Sequence, residues 1–335
     1  MKLFLPTTLL FLGISLSAQM PGMMTVQSGS QGTALGANDT LAYNGIALGN
    51  RVKMRGYVDF IFKYDDAEGG AQTEDFSTNS DVDFLFDLSP VTAEVHLAAS
   101  TTSVDLEEVF GRYSFNNSFH LTFGRQLTSL GFEADEAPGL YAVSNAHWKT
   151  FTTVGGIDYD LRRNYKDGLR LNFNNGQFGF IFGLHDGYWA NEDFNDDNIA
   201  IDLAASMMII PGLEAQLGYA QEEVTSINDD ISQFNAWISY NPNDLTLAME
   251  YDNYDIAGTD YWAFMLLGNY QFVDWMGATL RYSHEDYNDV EADRITLALL
   301  FTITDNLFFN VEYSTTDVDG GNDYDEFYLE GLLTF

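Results

Sequence analysis

Cysteine is absent from this 335-residue chain, and basic residues and proline are scarce. Without cysteine there is no disulfide framework, no thiolate metal site and no cysteine nucleophile. The chain has only 14 lysines and arginines against 50 aspartates and glutamates, which gives a formal net charge of −36. Nucleic acid would repel a chain this acidic, so we expect no DNA or RNA partner.

Long apolar runs are also missing beyond the first 18 residues. A transmembrane helix needs a run of about 18 or more apolar residues, so we expect none in the mature chain. Hydrophobic residues nevertheless make up 46% of the sequence and aromatic residues 15%. That content is too high for a disordered chain, so the apolar residues must be distributed in another pattern.

The first 18 residues have the pattern of a secretory signal peptide. Lys2 precedes an apolar stretch that ends in small residues such as Ser17 and Ala18, and this stretch is too short to span a membrane as a helix. Cleavage after Ser17 or after Ala18 would release the mature chain, and a retained membrane anchor is the alternative. Residues 19–50 show no clear periodicity, and we expect an N-terminal extension that is partly disordered or periplasmic.

From Arg51 onward the sequence alternates with a period of two. In RVKMRGYVDFIFKY, residues 51–64, most apolar side chains fall on one face and most polar or charged ones on the other. Such alternation is typical of a β-strand, and about 9–11 residues of tilted strand cross a bilayer. The unit recurs about sixteen times, for example at about 80–89, 213–224 and 245–256, and an even number of strands is typical of bacterial single-chain barrels. The sequence therefore predicts an all-β fold, a transmembrane antiparallel β-barrel over residues 51–335.

The connections between these strands alternate in length. One set consists of tight turns such as Pro211-Gly212 and Asp305-Asn306, which are rich in turn-forming residues. The other set is mostly longer and acidic, as in NEDFNDD at 191–197 and DVDGGNDYDE at 317–326. Short periplasmic turns and long extracellular loops are the layout of outer-membrane barrels. We therefore expect the outer membrane of a Gram-negative bacterium, with lipid against the barrel's outer face; a soluble all-β protein is the alternative.

Two stretches of the sequence, RGYVDFIF at 55–62 and FGRQLTSLGFEAD at 123–135, resemble the OmpL-like family of β-barrel porins. The final strand ends on Phe335, which resembles the terminal aromatic signal that the barrel assembly machinery reads in outer-membrane proteins. The resemblance implies passive diffusion of small hydrophilic solutes and ions. It leaves a homo-oligomer open, because the connection near 101–105 is too short for the latching role of that loop in trimeric porins.

Residues 127–165 form one very long predicted connection. Loops this long are uncommon unless they are functional, and the resemblance to porins implies that this one folds into the lumen and narrows it. The acids of the predicted constriction are Glu133, Asp135 and Glu136. Alternation places five basic residues on the lumen wall: Arg55, Arg112, Arg170, Arg281 and Arg294. We expect loop acids to face wall arginines in a charged constriction; the alternative is that the arginines only pair with buried lumen acids.

The acids of the predicted outer loops favour a channel that prefers cations, because an acidic mouth concentrates cations by its local potential. Two alternatives stay open: a non-conducting surface or structural barrel, such as an adhesin or envelope tether, and a substrate-specific channel. None of the five histidines lies in a metalloprotease or nucleophile-elbow motif. We therefore expect no enzymatic activity, no cofactor and no catalytic metal.

Overall fold

The computed structural model describes residues 45–70, 72–146, 153–154, 157–158, 161, 164–189, 200–224, 229–287 and 290–335. The predicted signal peptide at 1–18 and most of the predicted extension at 19–50 lie outside these residues. In the described part of the chain, no helix is long and apolar enough to cross a membrane.

Sixteen antiparallel strands form one closed barrel, which confirms the predicted fold. The strands are β1 (Val52–Ala67), β2 (Thr73–Leu88), β3 (Val91–Ser100), β4 (Val104–Asn116), β5 (Phe119–Leu127), β6 (Tyr165–Asn174), β7 (Phe178–His185), β8 (Ala200–Ile210), β9 (Leu213–Val224), β10 (Asp229–Tyr240), β11 (Leu245–Ile256), β12 (Thr259–Val273), β13 (Met276–Tyr287), β14 (Val290–Thr304), β15 (Leu307–Val318) and β16 (Tyr324–Thr334). Each strand pairs with the next, and β16 pairs with β1. Short bridges lie at Ile46–Ala47, Thr153–Val154 and Ile157–Asp158, and one 3-10 turn at Ala137–Gly139.

The two faces of the barrel follow directly from the alternation in sequence. Leu217 on β9 points outward and is 60% exposed, whereas its neighbour Gln216 points inward and is 1% exposed. Large apolar side chains such as Leu247, Leu280 and Ile295 are exposed around the outside in the same way. An apolar surface of this extent is unfavourable in water but favourable in contact with lipid. A closed barrel also leaves no unpaired strand edge in that lipid.

Seven tight turns lie together at one end of the barrel, here called the turn end. At the opposite end, here called the loop end, several strands run further than the sequence predicted. β2 begins at Thr73 instead of residue 80, and β1 continues to Ala67, so that Asp66 on β1 lies opposite Asp325 on β16. These segments are mostly polar on both faces, with Phe76 as an exception on β2, so they show little alternation, and strand ends beyond the membrane need none because water solvates both faces.

The last strand closes the barrel against the first strand. Phe335 and Gly56 exchange two backbone hydrogen bonds, each 2.9 Å long, beyond the end of β16. A Cβ atom on Gly56 would lie 2.1 Å from the carbonyl oxygen of Asp81 and 2.9 Å from the Phe335 ring. Glycine is therefore required where the terminal aromatic ring lies over the first strand.

Candidate constriction inside the barrel

Residues 128–146, here called the inner loop, follow β5 and lie inside the barrel. Leu130, Phe132 and Ala146 of this loop are buried among side chains of the barrel wall. The predicted long connection therefore enters the lumen over this part of its length. The rest of the connection, up to Asn164, is described at only a few positions.

Carboxylates of the barrel wall hold the backbone of the inner loop. A loop inside a lumen carries backbone N–H groups that have no strand partner, and each needs an acceptor. Charged carboxylates form the stronger class of hydrogen bond with such groups. The bonds run from Ser129 N to Asp202 Oδ2 (3.3 Å), from Phe132 N to Glu250 Oε1 (2.7 Å) and from Val143 N to Glu312 Oε2 (2.6 Å). These three acids lie on β8, β11 and β15, so the loop is attached to widely separated parts of the wall.

Arg281 on β13 is the wall arginine that contacts a predicted loop acid. Its Nη1 atom lies 2.6 Å from Glu133 Oε1 and also donates to the Ser144 carbonyl oxygen at 2.7 Å. Its Nη2 atom donates to the Asn145 carbonyl oxygen at 2.9 Å. The other oxygen of Glu133 accepts from Ala146 N at 2.6 Å. The buried ion pair thus joins the two halves of the inner loop to the wall, and the surrounding hydrogen bonds offset part of its desolvation cost.

Arg294 also holds the inner loop, but through a hydroxyl group, and Arg170 holds the end of β5 from which the loop starts. Arg294 on β14 lies 2.6 Å from Glu326 Oε2 and donates to Ser144 Oγ at 3.1 Å. Arg170 on β6 donates to the Leu127 carbonyl oxygen at 2.5 Å. Both arginines are buried on the inner face, as alternation predicted.

Arg55 on β1 and Arg112 on β4 contact other groups of the barrel wall. Arg55 Nε lies 2.6 Å from Asp83 Oδ2, and Arg55 Nη2 lies 3.7 Å from Glu94 Oε2. The Arg112 guanidinium lies 5.5 Å from the centre of the Phe110 ring. The five predicted arginines therefore differ in their contacts: Arg281 and Arg294 hold the inner loop, Arg170 holds the end of β5, and Arg55 and Arg112 contact groups on β2 to β4.

Glu136 reaches a group of acids on the wall. One carboxylate oxygen from each of Asp81, Glu107 and Glu136 lies within 4.8 Å of the others; these three residues are here called the acidic triad. Glu136 Oε1 also lies 4.0 Å from His96 Nδ1. Burial, together with the charges of Asp83 and Asp81, raises the pKa of Glu136 well above its ordinary value. Asp135, the third predicted loop acid, borders the cavity described below.

A β-bulge explains how Glu107 comes to face the lumen. In the pairing of β3 with β4, Val95 lies opposite Val109 and Leu97 opposite Leu106, so Glu107 and Glu108 both lie opposite His96. The extra residue re-aims side chains, and Glu108 Oε2 lies 3.4 Å from His96 Nδ1. Strict alternation would have placed one of the two glutamates against lipid. A charge on the lipid face is costly, so two adjacent acids in a membrane strand indicate a break in the alternation. The prediction from sequence missed this signal.

Part of the lumen is apolar, which the sequence did not predict. Leu130 and Leu161 pack with Tyr188 and Trp189, which follow β7, against inward-facing residues of β7 to β12. Glu222 accepts hydrogen bonds from Tyr188 N and Trp189 N at 3.0 and 2.7 Å. Beside this cluster lies a partly open cavity, whose charged lining residues are Glu133, Asp135, Glu250 and Asp252.

No family model and no curated protein matches this sequence. Solved structures match over most of their length. The outer membrane channel DcaP of Acinetobacter baumannii is 13% identical, with 87% of this chain and 99% of that chain covered and a TM-score of 0.63. The anion-selective porin from Comamonas acidovorans is 16% identical, with 85% and 99% covered and a TM-score of 0.64. OmpF of Salmonella typhi is 12% identical, with 84% and 98% covered and a TM-score of 0.62.

Likeness at these identities shows the fold, which is that of porin-like barrels. The closed sixteen-stranded barrel and its apolar outer belt are features of a protein that lies in lipid. Single-chain barrels of this kind belong to bacterial outer membranes. The chain is therefore a porin-like β-barrel of a Gram-negative outer membrane.

Proposed function

We propose that this barrel is a diffusion channel for small hydrophilic solutes and ions, and that it prefers cations. The observation that carries the proposal is the charge inside the barrel. Among the residues that the structure describes, thirteen acids are buried against five lysines and arginines. A low-dielectric wall focuses the field of such an excess, which attracts cations and repels anions.

The path that we propose runs along β1 to β5 and β14 to β16. The apolar cluster excludes water from the region near β7 to β12, whereas the inner faces of the proposed path carry buried polar residues such as Asp59, Glu94, Thr122 and Glu330. Glu136 and Asp135 are only half-buried, so they reach the edge of the packed region. In this proposal Glu136, Asp135 and Arg55 border the constriction, with Arg112 beside them on β4.

Glu133, Arg170, Arg281 and Arg294 have a different role in the proposal. Their contacts are with the inner loop and its immediate supports, so they set the loop's position and thereby the width of the path. Deleting residues 133–139 should raise the single-channel conductance. Deleting residues 320–322, in the outer connection between β15 and β16, is the matched control and should leave the conductance unchanged.

Selectivity is not inherited from the fold. The Comamonas porin is described as anion-selective, whereas the lumen of this chain is acidic, and lumen charge determines which ions concentrate in a pore. The preference for cations therefore rests on this chain's own residues. Its acidic loop end, where Asp66 lies opposite Asp325, adds to the same field.

A substrate-specific channel is the second candidate, and the packed lumen favours it. Much of the inner face is buried, and the cavity beside the inner loop is lined by both charged and apolar side chains. A narrow path selects solutes by size and by hydrogen bonding.

We further propose that the protein is not an enzyme and that residues 1–18 direct its export. We also propose that the assembly machinery reads Phe335. In this proposal the resemblance to OmpL-like porins at 55–62 and 123–135 reflects kinship.

Liposome swelling tests the proposal directly. Liposomes containing the refolded barrel are diluted into iso-osmotic solutions of uncharged sugars of increasing size. A general diffusion channel admits them at rates that fall smoothly with size, and a substrate-specific channel admits one class out of order. Liposomes that do not swell in any sugar, although the barrel shows heat-modifiable gel migration, would instead support a non-conducting structural barrel.

A further inference from the structure

The acidic triad brings three distant parts of the chain to one point. Asp81 lies on β2, Glu107 on the bulge of β4 and Glu136 on the inner loop. One oxygen from each lies within 4.8 Å of the other two. Carboxylate ligands lie about 2.3–2.6 Å from a bound Ca²⁺ ion, so two ligands on opposite sides of one ion are about 5 Å apart. The spacing of the triad therefore fits one cation in contact with all three residues.

Asp81 provides a second observation that is independent of the spacing. The residue is 2% exposed, and neither of its carboxylate oxygens has a hydrogen-bond donor among the residues that the structure describes; the side chains beside it include the carboxylates of Asp83 and Glu107. Glu107 Oε2 is buried in the same condition. A buried carboxylate without a donor carries its full desolvation cost, so these oxygens need a positive partner.

The nearest bases make their shortest contacts with acids outside the triad. Arg55 donates to Asp83, and His96 Nε2 lies 2.9 Å from Glu94 Oε2, whereas His96 Nδ1 is 4.0 Å from Glu136 Oε1. Among the described residues around this point, seven carboxylates are balanced by three bases even if each base is charged. The acids are Asp81, Asp83, Glu94, Glu107, Glu108, Asp135 and Glu136, and the bases are Arg55, Arg112 and His96. A proton shared between two acids would offset one negative charge, whereas a divalent cation offsets two and gives every triad oxygen a ligand bond.

We propose that Asp81, Glu107 and Glu136 bind one divalent cation, and that this cation fastens the inner loop to the wall of β2 and β4. The ligands are carboxylate oxygens only, which favours Ca²⁺ over metals that prefer nitrogen or sulfur. The ion is a fixed structural element at the constriction, unlike the ions that pass through the channel. The Tyr165 hydroxyl is buried, and it has no hydrogen-bond partner among the described residues. It lies close enough to Glu107 and Glu136 to feel their charges.

Cation binding is measured on the full mature barrel, refolded in detergent. Tb³⁺ takes Ca²⁺ sites and emits when a nearby tyrosine is excited, so Tyr57 and Tyr165 serve as built-in sensitisers. We expect saturable emission that Ca²⁺ displaces with a dissociation constant of about 0.1–1 mM, the range of extracellular calcium modules. Neither readout requires conduction, so the result is independent of whether the barrel is a channel.

Two triad variants and one matched control identify the site. Asp81→Asn and Glu136→Gln each remove one ligand charge and should weaken Ca²⁺ binding by about tenfold or more, since ligand charge sets affinity in such sites. Asp252→Asn removes a buried carboxylate on β11 that already accepts from Gln233 and Asn235, and it should leave the affinity unchanged. Heat-modifiable gel migration shows whether each variant has folded. If Asp81→Asn does not fold, the Ca²⁺ affinity of Glu136→Gln alone tests the proposal, because Glu136 lies outside the barrel strands.

Two results would overturn the proposed cation site. Weak binding to the many exposed acids is common to all variants, so only the difference between the variants counts. Equal Ca²⁺ affinity in wild type, Asp81→Asn and Glu136→Gln would overturn the proposal and favour a shared proton instead. An absence of saturable, Ca²⁺-displaceable Tb³⁺ emission in the folded wild type would overturn it as well.

Discussion

Arg281 on β13 and Glu133 on the inner loop form a buried ion pair, with 2.6 Å between Nη1 and Oε1. The two residues are 148 positions apart in the sequence. The same guanidinium group holds the carbonyl oxygens of Ser144 and Asn145. One wall side chain therefore contacts both halves of the inner loop, and in the proposal it contributes to setting the width of the path.

Replacing Arg281 with methionine should release the inner loop from this side of the wall. The variant leaves the Glu133 carboxylate buried without its cation, which is strongly unfavourable at about 3–5 kcal/mol, so we expect the loop to move toward water. Single-channel recordings should show a noisier and more variable conductance than wild type. Arg125→Met is the matched control, since Arg125 lies at a half-exposed ion pair with Asp167; if both variants behave alike, Arg281 does not position the loop.

The outer belt should penalise charge according to its depth in the membrane. Leu217 lies near the middle of β9 and faces outward, so Leu217→Arg should reduce the free energy of unfolding by about 2–4 kcal/mol. Leu307 also faces outward but is the first residue of β15 at the turn end, so Leu307→Arg should cost only about 0–1 kcal/mol. Urea titrations in lipid vesicles measure both, and equal costs would contradict the proposed position of the bilayer.

Barrel closure should depend on the glycine beneath the last residue. An alanine Cβ at position 56 would meet the Asp81 carbonyl oxygen and the Phe335 ring, whereas a Cβ on Gly331 of β16 meets nothing within 4 Å. Overpacking of this kind costs about 1–3 kcal/mol. We therefore expect Gly56→Ala to lower the yield of heat-modifiable folded barrel and Gly331→Ala to leave it close to wild type. Similar yields from the two variants would show that the closure tolerates a side chain.

The strands could be predicted from sequence wherever lipid and lumen impose opposite demands on adjacent residues. Strands β9 and β11 were predicted with the bounds that the structure shows, 213–224 and 245–256, because strict alternation ends there in turn-forming residues. The start of β2 was predicted seven residues late, because residues 73–79 are mostly polar on both faces, with Phe76 as the exception. Beyond the membrane, water removes the difference between the faces and with it the signal.

The interior could be predicted only in part. Alternation identified Arg281 as inward-facing and the loop length suggested a lumen position, so the contact with Glu133 agrees with the expectation from sequence. The bond from Arg170 to the Leu127 carbonyl oxygen had no signal in a period of two, and the bulge at Glu107 had only the pair of adjacent acids. Both join residues on different strands, and alternation within one strand does not encode such contacts.

The reversal potential of the refolded wild-type barrel, measured in a planar bilayer under a KCl gradient, tests the proposed cation-preferring channel most directly. At about 0.1 M salt the Debye length is about 10 Å, so the acidic interior should act across the path, and at about 1 M it is about 3 Å, so the effect should fade. We predict a reversal potential of the sign that K⁺ selectivity gives at low salt, shrinking toward zero at high salt. Anion preference at low salt, or no conductance from a correctly folded barrel, would contradict the proposal of a cation-preferring channel.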